Sequence, residues 1–424
     1  FDNMRRRMAS TSWASFQVFG VLILCLCFGH TLLFDSQRPG TSTDTSRENL
    51  HSPGCWDSQY IEFHHQTTSM LAVDKTDAGF LIFVCDGGCG GIGDRISGLL
   101  SSFFLAVFWH RVFLIEHSSP FPLEDTLVPK YINWNVPEYV KSLQARELNL
   151  IDAPDKKKAV HALKEMHATK VPVIRLKLNR YWLGMLLWES PCDSVHDELH
   201  GFAGGMTRLN RSNSCATRSP ERKPSHTFAF SFSMLFSFSP TVLQRVQHMR
   251  DESSILLGDQ YTGIHARIGG TTSASPGSIP WEDPARHDIR DIDKFADCAK
   301  EKNSRFVSGQ TNMSTPILLF SDNDELKRSA IIKQNKIRTV SSTIFHVDRS
   351  TTGDLIQRKQ GNIDTYAELA FLSNASCIVG SLSTFSGVAA SIGSPLLDCF
   401  SLYSSCSDET VDFWELTEST PKCS

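Results

Sequence analysis

The sequence predicts an α/β protein made of two facing Rossmann-like domains behind an N-terminal transmembrane helix. Three observations predict it. Over residues 77–400, apolar runs of strand length alternate with runs of helix length, a β-α-β order that implies parallel sheets. A polar, basic, aperiodic stretch interrupts that alternation and divides it into two halves. Ahead of both, Phe16 to Phe34 runs 19 residues without a formal charge.

The first element is a cytosolic tail, residues 1–15, with "MRRRM" at Met4 to Met8; Met4 is read as the start. The run at 16–34 is read as the anchor, because at about 1.5 Å per residue it nearly spans a hydrocarbon core of about 30 Å. Arg5, Arg6 and Arg7 hold its N-terminal end in the cytosol, which leaves the rest of the chain in a lumen. A cleaved signal peptide is the rival reading. His30 is read as an interfacial residue. Residues 35–76, polar and rich in Ser and Thr, read as a stem.

The first domain is placed at 77–250. "GFLIFVCD" is a buried strand, "RISGLLSSFFLAVFWH" a largely apolar helix and "RVFLIEH" a second strand. Less regular sequence follows to about residue 200, and an insertion occupies about 203–228. The second domain is placed at 251–400. Its strands are "YTGIHARIGG", "PILLFSDND", "TIFHVD" and "CIVG", and its helices "ELKRSAIIKQ", "NIDTYAELAFLSNAS" and the segment after "GSLST". Residues 401–424 form a tail.

The chain of 424 residues suffices for two cores, and a net charge of −4 gives no basic surface for nucleic acid. Ten of the 12 cysteines lie beyond the anchor, an even number suited to disulfides in an oxidising compartment. Cys85 and Cys89 have no second pair at zinc-finger spacing and read as disulfide or core residues. Asn210, Asn312 and Asn374 each open an N-glycosylation triplet.

"VCDGGCGGIGDRISGLL" contains G-x-G-x-x-G at Gly88, Gly90 and Gly93 between a strand and a helix. With Glu116 ending the next strand, this is the layout of a dinucleotide site, the phosphate lying on the helix N-terminus. Asp94 and Arg95 open the helix instead, and the Asp94 carboxylate would repel a pyrophosphate there. A purely structural turn is the third reading.

"GCGGIGDRISGLLSSFFLAVFWHRVFLIE" resembles the N-terminal signature of the GDP-fucose-dependent fucosyltransferases, the superfamily of α-1,2-, α-1,6- and protein O-fucosyltransferases. "GIHARIGG" is similar to that family's I-x-H-x-R-x-G signature. "LLFSDNDELK" and "YAELAFLSNASCIVGSLSTFSGVAASIG" follow in the family's order. The resemblance covers most of residues 80–395 and implies the GT-B type of two-domain fold. It also implies a GDP-fucose donor and no metal or other cofactor.

Transfer from a nucleotide sugar places negative charge on the departing diphosphate, which cationic side chains and backbone donors must stabilise. Arg267 is the candidate, since a guanidinium forks onto phosphate oxygens and stays protonated. His265 alternates with it on one strand face, and Gly269 and Gly270 permit close ligand approach. The resemblance gives Arg267 the diphosphate contact and His265 a donor-site contact; the competing reading is an interdomain ion pair and a core histidine. Ser383 and Thr384 sit where a strand turns into a helix, an anion site that the family uses for donor phosphates, or an ordinary N-cap. The resemblance places Glu368 against the nucleotide, with Asp364 one turn earlier on the same face, and Asp322 closes its strand where parallel sheets bind ligands. On the acceptor side, Gly91 and Gly93 permit close approach. Asp94 accepts or orients the acceptor proton and Arg95 supplies a second polar tip. The family often has Asn at the Asp94 position, and where some members carry a glutamate this chain has Ser275; Glu282 and Asp283 are the nearest substitutes.

The expectation is therefore a single-pass type II protein of the Golgi membrane with a luminal body, transferring fucose with inversion from GDP-fucose to a glycan or glycoprotein hydroxyl. The alternatives are a metal-dependent transferase using another nucleotide sugar through D-x-D (Asp322 and Asp324, or Asp291 and Asp293), a non-catalytic luminal GDP-sugar binder, and an NAD-dependent oxidoreductase.

Overall fold

The computed structural model describes residues 55–70, 79–151, 156–180, 224–272, 281–283, 287–306, 315–342, 354–393 and 397–407. The anchor, most of the insertion, Asn210, Asn312, Ser275, "TIFHVD" and the end of the tail lie outside them. Among the described residues no helix is long and apolar enough to cross a membrane.

The first half begins with α1 (Cys55–Met70), inside the span read as a stem. Then come β1 (Phe80–Cys85), α2 (Ile92–Phe108), β2 (Val112–His117), β3 (Leu127–Pro129), the short α3 (Glu138–Lys141), β4 (Ala145–Asn149), α4 (Lys156–Ala168) and β5 (Val173–Lys177). Four strands form a parallel sheet in the order β2-β1-β5-β4. All six residues of β1 are buried, as expected of a parallel strand covered on both faces. Leu81, Phe83 and Cys85 join the large core with residues of α2, while Phe80, Ile82 and Val84 join a smaller cluster with Val112, Leu114 and Val173.

The span read as irregular thus supplies two strands of the sheet. β4, "ARELN", is a polar edge strand with little buried, and among the described side chains of α4 those of Ala159, Leu163 and Met166 are buried. Neither has a long apolar run to announce it.

The stem residues in α1 have a structural task. β2 is an edge strand, and Tyr60 Oη donates to the Arg111 carbonyl (3.0 Å) and accepts from the Phe113 N–H (3.1 Å). One turn on, His64 Nε2 donates to the Phe113 carbonyl at 3.0 Å. These side chains satisfy backbone groups that an uncovered edge would leave for another strand. Burial pushes the His64 pKa from 6.5 down to about 4, so the ring is neutral.

The connection to the second half is α5 (Pro224–Leu235), β6 (Phe236–Phe238), which pairs antiparallel with β3, and α6 (Pro240–Glu252). The insertion therefore ends sooner than read: α5 begins at Pro224 and Phe228 is fully buried.

The second half comprises β7 (Thr262–Ala266), β8 (Gly270–Thr272), β9 (Trp281–Asp283), α7 (Ile292–Phe306), β10 (Ile317–Ser321), α8 (Asp324–Arg328), α9 (Ala330–Gln334), β11 (Arg338–Thr339), α10 (Leu355–Leu372), β12 (Cys377–Gly380), α11 (Thr384–Gly393) and β13 (Cys399–Leu402). Five strands make a second parallel sheet, β11-β10-β7-β12-β13. "ELKRSAIIKQ" forms two short helices rather than one, because Ser329 takes an extended backbone (φ −63°, ψ 154°). Disulfides join Cys85 to Cys89, Cys298 to Cys406, and Cys377 to Cys399. α11 packs on α2 and α5, and α10 on α6, so one large core runs through both halves. The architecture is mixed α/β with two parallel sheets, as the alternation of runs predicts.

Candidate active site

The site grows from the carboxyl ends of three adjacent strands, β10, β7 and β12. Their register sets Ser321 beside Ala266 and Gly380 beside His265, so the residues after each strand converge. Ligands of parallel sheets bind at this edge.

Arg267 leaves β7 here. Its Nε lies 3.1 Å from Asp322 Oδ2, the two side chains being 22% and 9% exposed. Asp322 also accepts from the backbone N–H of Ile268 (2.8 Å) and of Gly269 (3.2 Å). The carboxylate that ends β10 therefore shapes the turn that presents the guanidinium. Gly269 has a φ of 71°, the left-handed region that glycine tolerates best. From the other side, the Ser381 hydroxyl accepts from the Arg267 N–H at 3.1 Å and donates to the His265 carbonyl at 3.2 Å. The Arg267–Asp322 pair lies within the second half, not between domains.

His265 is buried, with Nδ1 2.5 Å from the Ser386 hydroxyl and its ring stacked on Phe385 at 4.9 Å. Burial, then the Arg267 charge, push its pKa from 6.5 down to about 3, so it is a neutral ring supporting the base of α11. Sequence places His265 and Arg267 together, and the structure puts the histidine beneath the turn and the arginine at its rim.

Ser383 and Thr384 open α11, both half-buried. The Ser383 hydroxyl accepts from the Phe385 N–H at 3.3 Å, an N-cap-like bond. The first turn of α11 holds no acidic residue, so its positive end is not offset from within the helix.

The glycine-rich segment meets this turn. Gly88 (φ 65°) and Gly90 (φ 76°) form the bend. A Cβ on Gly93 would lie 2.7 Å from the Thr384 carbonyl carbon and from Phe385 N. The third glycine therefore admits the N-terminus of α11, and the space a pyrophosphate would need in a dinucleotide site is filled by protein backbone. Two helix N-termini are thereby brought together. That of α2 is offset by Asp94, whose Oδ2 accepts from the Gly91 N–H at 3.2 Å. That of α11 has no such acid.

Arg95 corrects the sequence reading. It is 2% exposed and does not furnish a tip at the cleft mouth. Its Nε donates to the Gly90 carbonyl at 2.7 Å and its Nη1 to the Ser119 carbonyl, and Nη1 also lies 3.5 Å from His117 Nε2. Since His117 Nδ1 donates to the Phe121 carbonyl at 3.2 Å, Nε2 carries the lone pair facing the arginine. Burial and Arg95 push His117 down to about 4. Arg95 ties the glycine bend to the loop after β2, and the Cys85–Cys89 disulfide closes the same bend.

Asp364 and Glu368 lie one turn apart on α10, as their spacing implies. Asp364, 2% exposed, meets Arg245 Nε of α6 at 2.9 Å. Glu368 lies 3.7 Å from Lys327 Nζ and accepts from the Ser342 hydroxyl; burial raises its pKa against these two. Both acids are engaged by protein cations. One acid of each D-x-D pair is similarly committed: Asp322 to the Arg267 turn, and Asp291 to Lys294 (2.8 Å). Among the described residues no group of three His, Cys, Asp or Glu side chains is disposed to hold a metal ion. Glu282 and Asp283 belong to β9, paired through Thr271 and Gly270 with the hairpin strand that follows Gly269.

Sequence reasoning missed Ser381, Ser386 and Lys327. The serines stand in the quoted "GSLSTFSG", and the only sign of their inward direction was their spacing from Ser383 and Thr384.

No protein-family model matches the sequence, and no curated protein matches it. Solved structures do. A mutant of Arabidopsis thaliana FUT1 in complex with GDP matches with a TM-score of 0.51 at 17% identity, over 80% of this chain and 78% of that one. The fucosyltransferase NodZ from Bradyrhizobium matches with 0.42 at 10% identity, over 77% and 96%. POFUT1 in complex with GDP matches with 0.40 at 12% identity, over 78% and 99%. The mixed α/β architecture, with its two parallel sheets, is similar in fold to the FUT1 mutant of Arabidopsis thaliana.

Proposed function

We propose that this chain transfers fucose from GDP-fucose to a hydroxyl of a glycan or glycoprotein, with inversion and without a metal. The observation that carries the reading is the convergence of Arg267 with the N-terminus of α11 at the strand ends, in a fold shared with an enzyme that holds GDP.

In this reading the diphosphate lies against the Ser383–Thr384 turn. The backbone N–H groups and dipole of α11 supply partial positive charge, and Arg267 supplies a full one. Both are in place before the sugar–oxygen bond breaks, so charge rising on the leaving oxygens is met without reorganisation. Asp322 is the positioning residue for Arg267. His265 is neutral and holds Phe385 and Ser386, hence the helix start, in register. Asp94, on the facing helix, orients the acceptor hydroxyl or takes its proton. The body is proposed to stand in the Golgi lumen on a single-pass type II anchor.

The test is nucleotide-induced thermal shift of the residue 51–424 fragment with GDP, UDP, CMP and NAD, followed by fucose transfer in the presence of EDTA. The reading expects stabilisation by GDP and EDTA-resistant transfer. Stabilisation by NAD alone would remove it. Binding of GDP with no transfer to any glycan would favour the non-catalytic alternative, and transfer abolished by EDTA the metal-dependent one.

A further inference from the structure

Of the three N-glycosylation triplets, Asn374-Ala375-Ser376 lies in the described structure. Asn374 is exposed and follows the end of α10, in the turn that leads into β12. The backbone around it is fixed: Ala375 is buried, and the Ser376 N–H donates to the Tyr261 carbonyl at 2.9 Å. The Asn374 Nδ2 donates to the Ala370 carbonyl at 2.6 Å. An amide nitrogen joined to a sugar keeps one N–H, so glycosylation leaves this bond available and gives the first sugar a defined direction.

Two further observations bear on it. The Cys377–Cys399 disulfide lies immediately after the triplet, and Cys85–Cys89 and Cys298–Cys406 are also joined. Such bonds persist in the oxidising compartments where asparagine is glycosylated. Asn374 also precedes β12 whereas Ser381 to Thr384 follow it, so a strand of about 13 Å separates them. A glycan at Asn374 would leave from the edge of the sheet opposite the Arg267 turn.

We infer that Asn374 carries an N-linked oligosaccharide. The donor class is an oligosaccharide on a polyprenyl diphosphate. Asn374 Nδ2 bonds to the anomeric carbon and loses one proton to the base of the transferring enzyme. The carbon–oxygen bond to phosphate breaks, and the lipid diphosphate leaves with its electron pair. The inference does not rest on the chain's own transfer activity.

The test expresses the full chain in a eukaryotic secretory host, treats it with peptide N-glycosidase and sequences the peptide spanning residue 374 by mass spectrometry. Aspartate at 374 is the expected result, and Asn374→Gln should lose one glycan's step of apparent mass on a gel, migrating faster, while its GDP-induced thermal shift stays as in wild type. Ser376→Ala, which keeps the Asn374 side chain, should show the same loss if the Gln variant fails to fold. Unmodified Asn374 in a chain with the Cys377–Cys399 bond formed would overturn the inference. So would a chain recovered with free thiols and a bare Asn374.

Discussion

At the scale of the residue, the account turns on how one guanidinium is held. Asp322 grips the Arg267 turn through two N–H groups and the side-chain Nε. Replacing Arg267 by Ala should weaken GDP affinity roughly 10- to 100-fold, the range for charged hydrogen bonds of about 1.5–3 kcal/mol. Calorimetric titration checks it. Asp94→Asn should spare GDP affinity and lower turnover, because Asp94 offsets the other helix; a steady-state measurement of GDP release against a GDP titration separates the two. Residue types were legible in the sequence and their directions were not. "GIHARIGG" identifies Arg267 and His265 by alternation, and both lie at the expected strand end. Arg95 was misread because adjacent positions of a helix point some 100° apart, and only the folded loop after β2 reveals that its partners are internal carbonyls. Asp364 and Glu368 look like solvent- or ligand-facing acids until Arg245 and Lys327, distant in sequence, arrive beside them.

At the scale of the element, the G-x-G-x-x-G segment is a packing device. Its third glycine lets α2 and α11 meet at their N-termini. Gly93→Ala would drive a methyl into the backbone of Thr384 and Phe385, which cannot swing aside as a side chain can. The expected cost is about 1–3 kcal/mol of stability, with a parallel loss of GDP affinity. Denaturant unfolding and a GDP titration on one preparation test it, and an unchanged midpoint would contradict the contact. The sequence announced this segment's glycines but not their object, because the neighbouring backbone lies nearly 300 residues along the chain. Similarly, strands that are strongly apolar were legible, whereas β4 and α4 carry too few buried positions to stand out. α1 was read as stem because its span is polar with few apolar clusters; in the fold Tyr60 enters the large core, Ile61 and Phe63 pack against it, and Tyr60 and His64 bond to the edge strand.

At the scale of the molecule, stability is tied to three neutral histidines, His64 and His265 buried and His117 partly so, and to the disulfides. His64, His117 and His265 have folded pKa values of about 4, 4 and 3, below their ordinary 6.5. The unfolded chain therefore binds more protons between those limits, and stability present above pH 6.5 is lost as pH falls towards 4. For His64 and His265 the loss at pH 5 should be about 2 kcal/mol each. Thermal unfolding between pH 7 and 5 should show a falling midpoint, less steep in His64→Gln than in wild type. Cys298–Cys406 closes a sequence separation of 108 residues; reducing it should cost about 2–4 kcal/mol, read as a lower midpoint with dithiothreitol. The α/β plan with its parallel sheets was legible because alternating apolar runs mark buried strands and helices. The joining of both units into one core was not, since it depends on which helix faces meet.

The most direct test is calorimetric titration of GDP and of NAD into wild type and Arg267→Ala, side by side. The account predicts that GDP binds the wild type, that the variant binds it at least tenfold more weakly, and that NAD gives no heat with either. Equal GDP affinity in the two proteins, or saturable binding of NAD without GDP, would contradict it.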